Sequence, residues 1–177
     1  MTRKLVLWLP FAFGVGLLAM FYLGLSNPSD RIIASNMVGQ QLPEFVSGSV
    51  VAGQQGTTTA DFRDGKPRLL NIFASWCVPC VREIPTLMQM KAQGVEIAGL
   101  AIHDSPGQLN AFLAQNGNPY TTVGLDQGGR AQLEFGSSGV PETFVIDGSG
   151  KIIHQHIGIV TPEDIPVLLA MLEGGKP

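Results

Sequence analysis

Asn71-Ile-Phe-Ala-Ser-Trp-Cys77-Val-Pro-Cys80-Val-Arg-Glu83 holds the only two cysteines of a 177-residue chain, spaced C-x-x-C. An apolar run, Leu69 to Ala74, comes just before them. Val81, Ile84, Leu87, Met88 and Lys91 recur after them at helical spacing. The pattern predicts a buried strand turning into a helix, with Cys77 at the helix mouth and Pro79 in its first turn. Proline suits that turn because the N–H it lacks would be unpaired anyway. A cysteine at this point sits among free backbone N–H groups and near the positive end of the helix dipole, which favour thiolate over thiol. Cys80, three residues on, lies on the same helix face and can close a disulfide after Cys77 has attacked. The chemistry indicated is thiol–disulfide exchange.

Two other uses of a cysteine pair fit less well. A structural zinc site wants four ligands, no second cysteine pair exists, and His103, His154 and His156 lie far off in sequence. A purely structural C-x-x-C bridge would close a very short loop, which constrains the unfolded chain least.

With a formal net charge of −3, 14 % charged residues and no basic cluster after the first few positions, the chain is a poor candidate for nucleic-acid binding. Its mean hydropathy of +0.22 is high for a soluble domain, and the N-terminus explains much of that. Arg3 and Lys4 precede an uncharged run from Leu5 to Leu25, about 21 residues, long enough to span the hydrocarbon of a bilayer. Trp8 and Tyr22 fall near its two ends, where interfacial aromatics sit. A cleaved signal peptide has a shorter apolar core and a small-residue approach to its cleavage site, whereas Phe21-Tyr22-Leu23-Gly24-Leu25 is bulky. Residues 1–26 are therefore expected to be an uncleaved transmembrane signal-anchor, residues 27–41 a tether, and 42–177 the working domain. Basic residues ahead of the span place the N-terminus in the cytoplasm and the domain on the far side, in a bacterium the periplasm. That compartment is oxidising, so a dithiol kept working there needs an electron supply.

Along the chain, Leu42 to Ser47 predicts a short strand, and Gly48 to Gly65, rich in Gly, Thr and Gln, a hairpin and loop. Strands follow over Arg68–Ala74, Val95–Ile102, Tyr120–Leu125, Val140–Ile146 and Lys151–Ile157, the last two joined by the turn Asp147-Gly-Ser-Gly150. Helices are expected over 78–92, from a cap at Asp104 or Ser105 to Asn116, over 127–135, and from Thr161-Pro-Glu-Asp164 to about Leu172. This order implies an α/β domain with a mixed sheet of four to five strands and helices on both faces.

Trp76-Cys77-Val78-Pro79-Cys80 with a later Val140-Pro141 resembles the thioredoxin superfamily. The fuller set is narrower: Leu70 to Cys77, Glu83-Ile84-Pro85, Gly117-Asn118-Pro119-Tyr120, and Gly139-Val-Pro-Glu-Thr-Phe-Val-Ile-Asp-Gly148. With the N-terminal anchor, the chain resembles the membrane-tethered thioredoxin-like proteins of cytochrome c maturation, the CcmG/DsbE family. The resemblance implies a thioredoxin-like fold and no cofactor or metal. It implies a domain that keeps the cysteines of apocytochrome c, or of a maturation protein bonded to them, reduced for haem attachment. Electrons would arrive from a membrane thiol transporter. Other periplasmic clients are the nearest alternative.

On that resemblance Cys77 is the attacking thiolate, Cys80 the resolving thiol, and Cys77–Cys80 the redox disulfide. Pro141 is expected to be cis, with Val140 offering its backbone to an extended substrate. Trp76 would cover the disulfide and touch the partner. Glu83 and Glu142 match the family's acidic active-site residues. A carboxylate near a thiol opposes its ionisation and can carry its proton through water; Glu83 could otherwise be an exposed helix glutamate. Where ordinary thioredoxins carry a buried Asp before the motif, this chain has Asn71, which cannot relay a proton and shifts that duty toward Glu83 or Glu142. Thioredoxin-fold copper chaperones combine two cysteines with a histidine, but space the cysteines C-x-x-x-C. The direction of electron flow stays open, because a C-x-x-C at a helix start serves oxidants and reductants alike.

Overall fold

A computed structural model of the chain describes residues 2–26 and 37–174, with the side chains of residues 2–7, 9 and 25–26 outside that set. The chain divides into two compact units, Met1–Ala34 and Ser35–Pro177. In the first, α1 (Thr2–Ser26) is one helix with Pro10 inside it. Among the described residues no helix is long and apolar enough to cross a membrane. Most of the expected tether, 27–36, lies outside the described residues.

The second unit is built on the strand that precedes the cysteines. Its elements are β1 (Arg68–Phe73), α2 (Val78–Ala92), β2 (Ile97–Ile102), α3 (Pro106–Asn116), β3 (Thr122–Asp126), α4 (Arg130–Glu134), β4 (Glu142–Ile146), β5 (Ile152–Ile157) and α5 (Ile165–Leu172). The five strands form one sheet in the order β3-β2-β1-β4-β5. β1 runs parallel to β2 and β2 to β3, whereas β4 is antiparallel to both β1 and β5. This is the thioredoxin-like α/β architecture. Every residue of β1, β2 and β4 is buried, which is why those strands read as continuous apolar runs rather than as alternating ones.

Alternation along β1 sends Leu69, Asn71 and Phe73 to one face of the sheet and Leu70 and Ile72 to the other. On the first face Phe73 stacks on Tyr120 with ring centroids 4.6 Å apart and meets Phe112 of α3 at 5.8 Å. α2 packs on the same face through Cys80, Glu83, Ile84, Leu87 and Met90. On the second face Phe144 of β4 meets Phe135, the C-cap of α4, which in turn sits edge-on to Phe45. Helices therefore cover both faces.

Four expectations need correction. Leu42 to Ser47 does not form a strand; single bridges join Gln41 to Lys151 and Val46 to Thr58, because the segment covers the sheet instead of entering it. The last tether residues are not free either: Gly39 N–H donates to Ile152 O and Leu42 N–H to Gly150 O, covering the start of the sheet's β5 edge. In the 48–65 stretch the hairpin is reduced to one antiparallel bridge, Val46 to Thr58, with Ser47 N–H donating to Thr57 O and Thr59 N–H to Phe45 O, and a 3-10 turn, Thr59–Phe62, follows. Its earlier half covers the opposite edge, where Ser49 bridges Gly124 and Val123 N–H donates to Gln55 O. Finally, α5 begins at Ile165, not Thr161, because Asp164 turns its carboxylate back to the Thr161 N–H and hydroxyl, both at 2.8 Å, and closes a turn ahead of the helix.

Candidate active site

Cys77 is the N-cap of α2, in extended conformation, with Val78 and Pro79 in the first turn. Its sulfur accepts a hydrogen bond from the Cys80 N–H at 3.2 Å. A helix N–H, shared with Cys77 O at 3.1 Å, thus already points at the atom that must carry negative charge when the pair is reduced. Cys77 and Cys80 are joined in a disulfide with Cα atoms 5.3 Å apart. The bridge is nearly covered: Cys77 is 4 % exposed and Cys80 1 %. Cys77 is the more accessible of the two, as an attacking sulfur must be.

The sheet brings the second part of the motif to the same place. β1 runs out toward Cys77 just where β4 starts, since Ile72 faces Glu142 across the antiparallel pair. The Val140–Pro141 bond immediately before β4 is cis. Gly158 N–H donates to Pro141 O at 2.9 Å and ties this loop to the end of β5. Cys77 and Pro141 therefore share one end of the sheet, with Val140 half-buried beside them.

Trp76 is 56 % exposed, an unusual position for an indole, and its Nε1–H donates to His103 O at 3.2 Å. His103 itself takes the left-handed region (φ 48), and its ring lies where a Cβ on Gly129 would collide with it. The turn under Trp76 is clamped by a residue read from the sequence only as a possible helix cap. Asp104, buried, accepts from the Ser75 N–H at 2.6 Å and from the Ser75 hydroxyl at 2.8 Å. The capping duty falls to Ser105, whose hydroxyl accepts from Gln108 N–H.

Both expected glutamates are buried, so the reading of Glu83 as an exposed helix residue is wrong. Glu83 lies one helical turn below Cys80 on the sheet-facing side of α2 and is 0 % exposed. Its Oε1 accepts from Asn71 Nδ2 at 3.0 Å and its Oε2 from the Val160 N–H at 3.3 Å. Burial pushes its pKa up to about 7, against the pull of those two donors toward the carboxylate. Asn71 also donates to Thr143 Oγ1 at 3.0 Å and accepts from the Tyr120 hydroxyl at 2.8 Å. Tyr120 and Thr143 were missed as members of this network because each lies far from Asn71 in sequence. Burial, with Glu83 nearby, pushes the Tyr120 phenol well above its ordinary value.

Glu142 belongs to a different network. It opens β4 on the other face of the sheet, where Oε1 accepts from the Ser138 N–H at 2.9 Å and hydroxyl at 2.5 Å, and Oε2 from Gln155 Nε2 at 3.1 Å. Those bonds fix the loop that carries Val140 and Pro141. His154 and His156 lie on β5, His156 with Nε2 3.1 Å from Ile159 O and 3.8 Å from Asp164. The His154 pKa is held below its ordinary value by burial and then by His156.

A family model described as Redoxin matches residues 37–172. The thiol:disulfide interchange protein HelX of Rhodobacter capsulatus is 38 % identical over 162 residues, covering 92 % of this chain and 91 % of that one. The thiol:disulfide interchange protein DsbE homolog of Paracoccus denitrificans is 33 % identical over 156 residues, covering 88 % and 86 %. Among solved structures, a thiol:disulfide interchange protein of the thioredoxin family from Chlorobium tepidum superposes with a TM-score of 0.62 at 25 % identity, over 75 % of this chain and 94 % of that one. At those identities, and over that much of both chains, this protein belongs to the Redoxin family, among thiol:disulfide interchange proteins of the DsbE (CcmG) type, and is a thiol–disulfide oxidoreductase.

Proposed function

We propose that this oxidoreductase works as a reductant, tethered through its uncharged N-terminal run, Leu5–Leu25, to the bacterial inner membrane with its domain in the periplasm, and that its clients are the cysteines of apocytochrome c or of a maturation protein bonded to them. The observation that carries the reductive direction is Glu83, a carboxylate buried one turn below Cys80. Negative charge there opposes ionisation of the reduced pair, and a reduced form that is not stabilised gives up its electrons more readily. The tether rests on the uncharged run Leu5–Leu25 behind Arg3 and Lys4, and on the exposure of Phe11, Phe13, Leu18, Met20 and Phe21 on α1. Relatives named as thiol:disulfide interchange proteins support the exchange chemistry.

Exchange proceeds in two displacements. The Cys77 thiolate attacks one sulfur of a client disulfide; a Cys77–client bond forms, and the client's other sulfur leaves as a thiolate that takes a proton from water. Glu83, as carboxylate, then accepts the Cys80 S–H proton through water. Cys80 attacks the Cys77 sulfur, the Cys77–Cys80 bond forms, and the client's second thiol is released with that proton. The client gains two electrons and two protons, and a membrane dithiol donor must return them to Cys77–Cys80 before the next cycle. Trp76 and the Val140–Pro141 loop flank the attacked bond and hold an extended client segment.

A redox titration of the Cys77–Cys80 couple tests the direction. A potential near or below the roughly −270 mV of thioredoxin supports a reductant, and one near the roughly −120 mV of a strong oxidase overturns it. For the clients, full-length Cys80→Ser should accumulate as a mixed disulfide through Cys77 with apocytochrome c or a maturation protein. Adducts containing only unrelated proteins would sink the cytochrome assignment. Loss of the protein from membranes on alkaline carbonate extraction would sink the tether.

A further inference from the structure

One partner of the Glu83 carboxylate, Asn71, is itself held by a residue outside the cysteine segment. Asn71 has one acceptor oxygen and two amide hydrogens, and its three bonds use them all: Oδ1 accepts from the Tyr120 hydroxyl, and Nδ2 donates to Glu83 Oε1 and Thr143 Oγ1. Rotating the amide by half a turn would exchange those roles. Oδ1 would then face Glu83, and the arrangement would be satisfied only by a protonated Glu83 whose O–H donates to it. The present orientation suits the Glu83 carboxylate, whereas the rotated one would admit only the protonated acid.

What chooses between them is the Tyr120 hydroxyl. It is fully buried, and its acceptor is Asn71 Oδ1. With the amide rotated, Nδ2 would face the phenol oxygen and the hydroxyl hydrogen would lose its acceptor, a costly outcome for a buried donor. We propose that Tyr120 is a positioning residue for the proton step: by donating to Asn71 it keeps the amide turned so that Nδ2 faces Glu83, and so holds Glu83 as the acceptor of the Cys80 proton. The inference rests on the role given to Glu83 above. It supplies what replaces a second acid at position 71, namely a neutral relay of orientation that moves no proton itself.

The surroundings leave few other groups to set this balance. From β1, β4 and the segment before β3 come Asn71, Thr143 and Tyr120. From α2 comes the cysteine pair, and from the segment before α5 the Val160 N–H. His156 lies across from Thr143 on the same face of the sheet, but its Nε2 is turned to Ile159 O and Asp164. Glu142 is on the opposite face, engaged by Ser138 and Gln155.

Tyr120→Phe removes the donor and keeps the ring that stacks on Phe73. In the reduced full-length protein, 5,5′-dithiobis(2-nitrobenzoate) first loads Cys77, and Cys80 closure then releases a second thionitrobenzoate. The pH midpoint of that second release should move up by about one unit in Tyr120→Phe, a fall of about tenfold in closure rate on the acid side of the profile. The 13C shift of the Glu83 carboxyl should titrate upward in parallel. An unmoved midpoint and titration in Tyr120→Phe, with the acid limb lost in Glu83→Gln, would overturn the role of Tyr120 and leave that of Glu83 standing. An acid limb that survives in Glu83→Gln would overturn the Glu83 reading itself. If Tyr120→Phe does not fold, fluorotyrosine labels only Tyr22 and Tyr120, the two tyrosines of the chain. Its more acidic phenol donates more strongly, so Glu83 should titrate at or below its unlabelled value, and a rise would overturn the proposal.

Discussion

Glu83 is the residue whose sequence context and structural setting are most closely linked. Its spacing from Cys80 and Leu87 already put it on the apolar side of the helix, so its burial was legible from the period; what hid it was the habit of reading a lone glutamate as solvated. Burial raises its pKa to about 7 from an ordinary 4.5. The folded state therefore favours the neutral side chain. That advantage is complete below pH 4.5 and disappears as pH rises through 7, a loss of order 3 kcal/mol. Urea unfolding of the oxidised protein at pH 5 and pH 8 should show this slope, and Glu83→Gln should flatten it; an unchanged slope would remove the charge from the account. Glu142→Gln turns an amide toward donors that a carboxylate now satisfies, at a cost of about 1–3 kcal/mol in the same measurement. Asp104 was not legible as a clamp, since nothing local marks a bond to Ser75 across a separation of 29 residues.

Among the elements, α2 came out where the pattern put it, whereas the Thr161-Pro-Glu-Asp164 signal placed the start of α5 too early. α2 spans the expected residues because Cys77 caps it and Gly94, at φ 89, follows its end. β4 starts two residues later than its apolar run, because the cis Val140–Pro141 bond stands outside the ladder. The covering segments were misread because their partners are distant strands, whose positions no local pattern encodes. Two substitutions test how elements hold the site. Asp104→Ala frees the Ser75 N–H and hydroxyl at the join of β1 and α2. It should lower stability by about 1–3 kcal/mol and broaden the Trp76 indole signal in NMR. Gly99→Ala on β2 would place a Cβ 2.8 Å from the Tyr120 ring and 3.0 Å from Phe73. The expected cost is about 1–3 kcal/mol, with a shifted Tyr120 resonance; a neutral substitution would mean that the stack is looser than described.

At the scale of the molecule, the sequence carried the α/β class, a mixed sheet of four to five strands, of which the structure has five, and the cysteine chemistry, since all three follow from the motif and the run of strands and helices around it. It did not carry how the sheet is finished. One rim is occupied at its start by residues 39–42 against 150–152, and the other by Ser49 and Gln55 against β3. Open strand rims are templates onto which a neighbouring chain can add. Covering part of each rim with loops of the same chain shortens those templates. A protein built this way offers a crowding neighbour less open edge from which the stacked cross-β fibres of a bare sheet could grow.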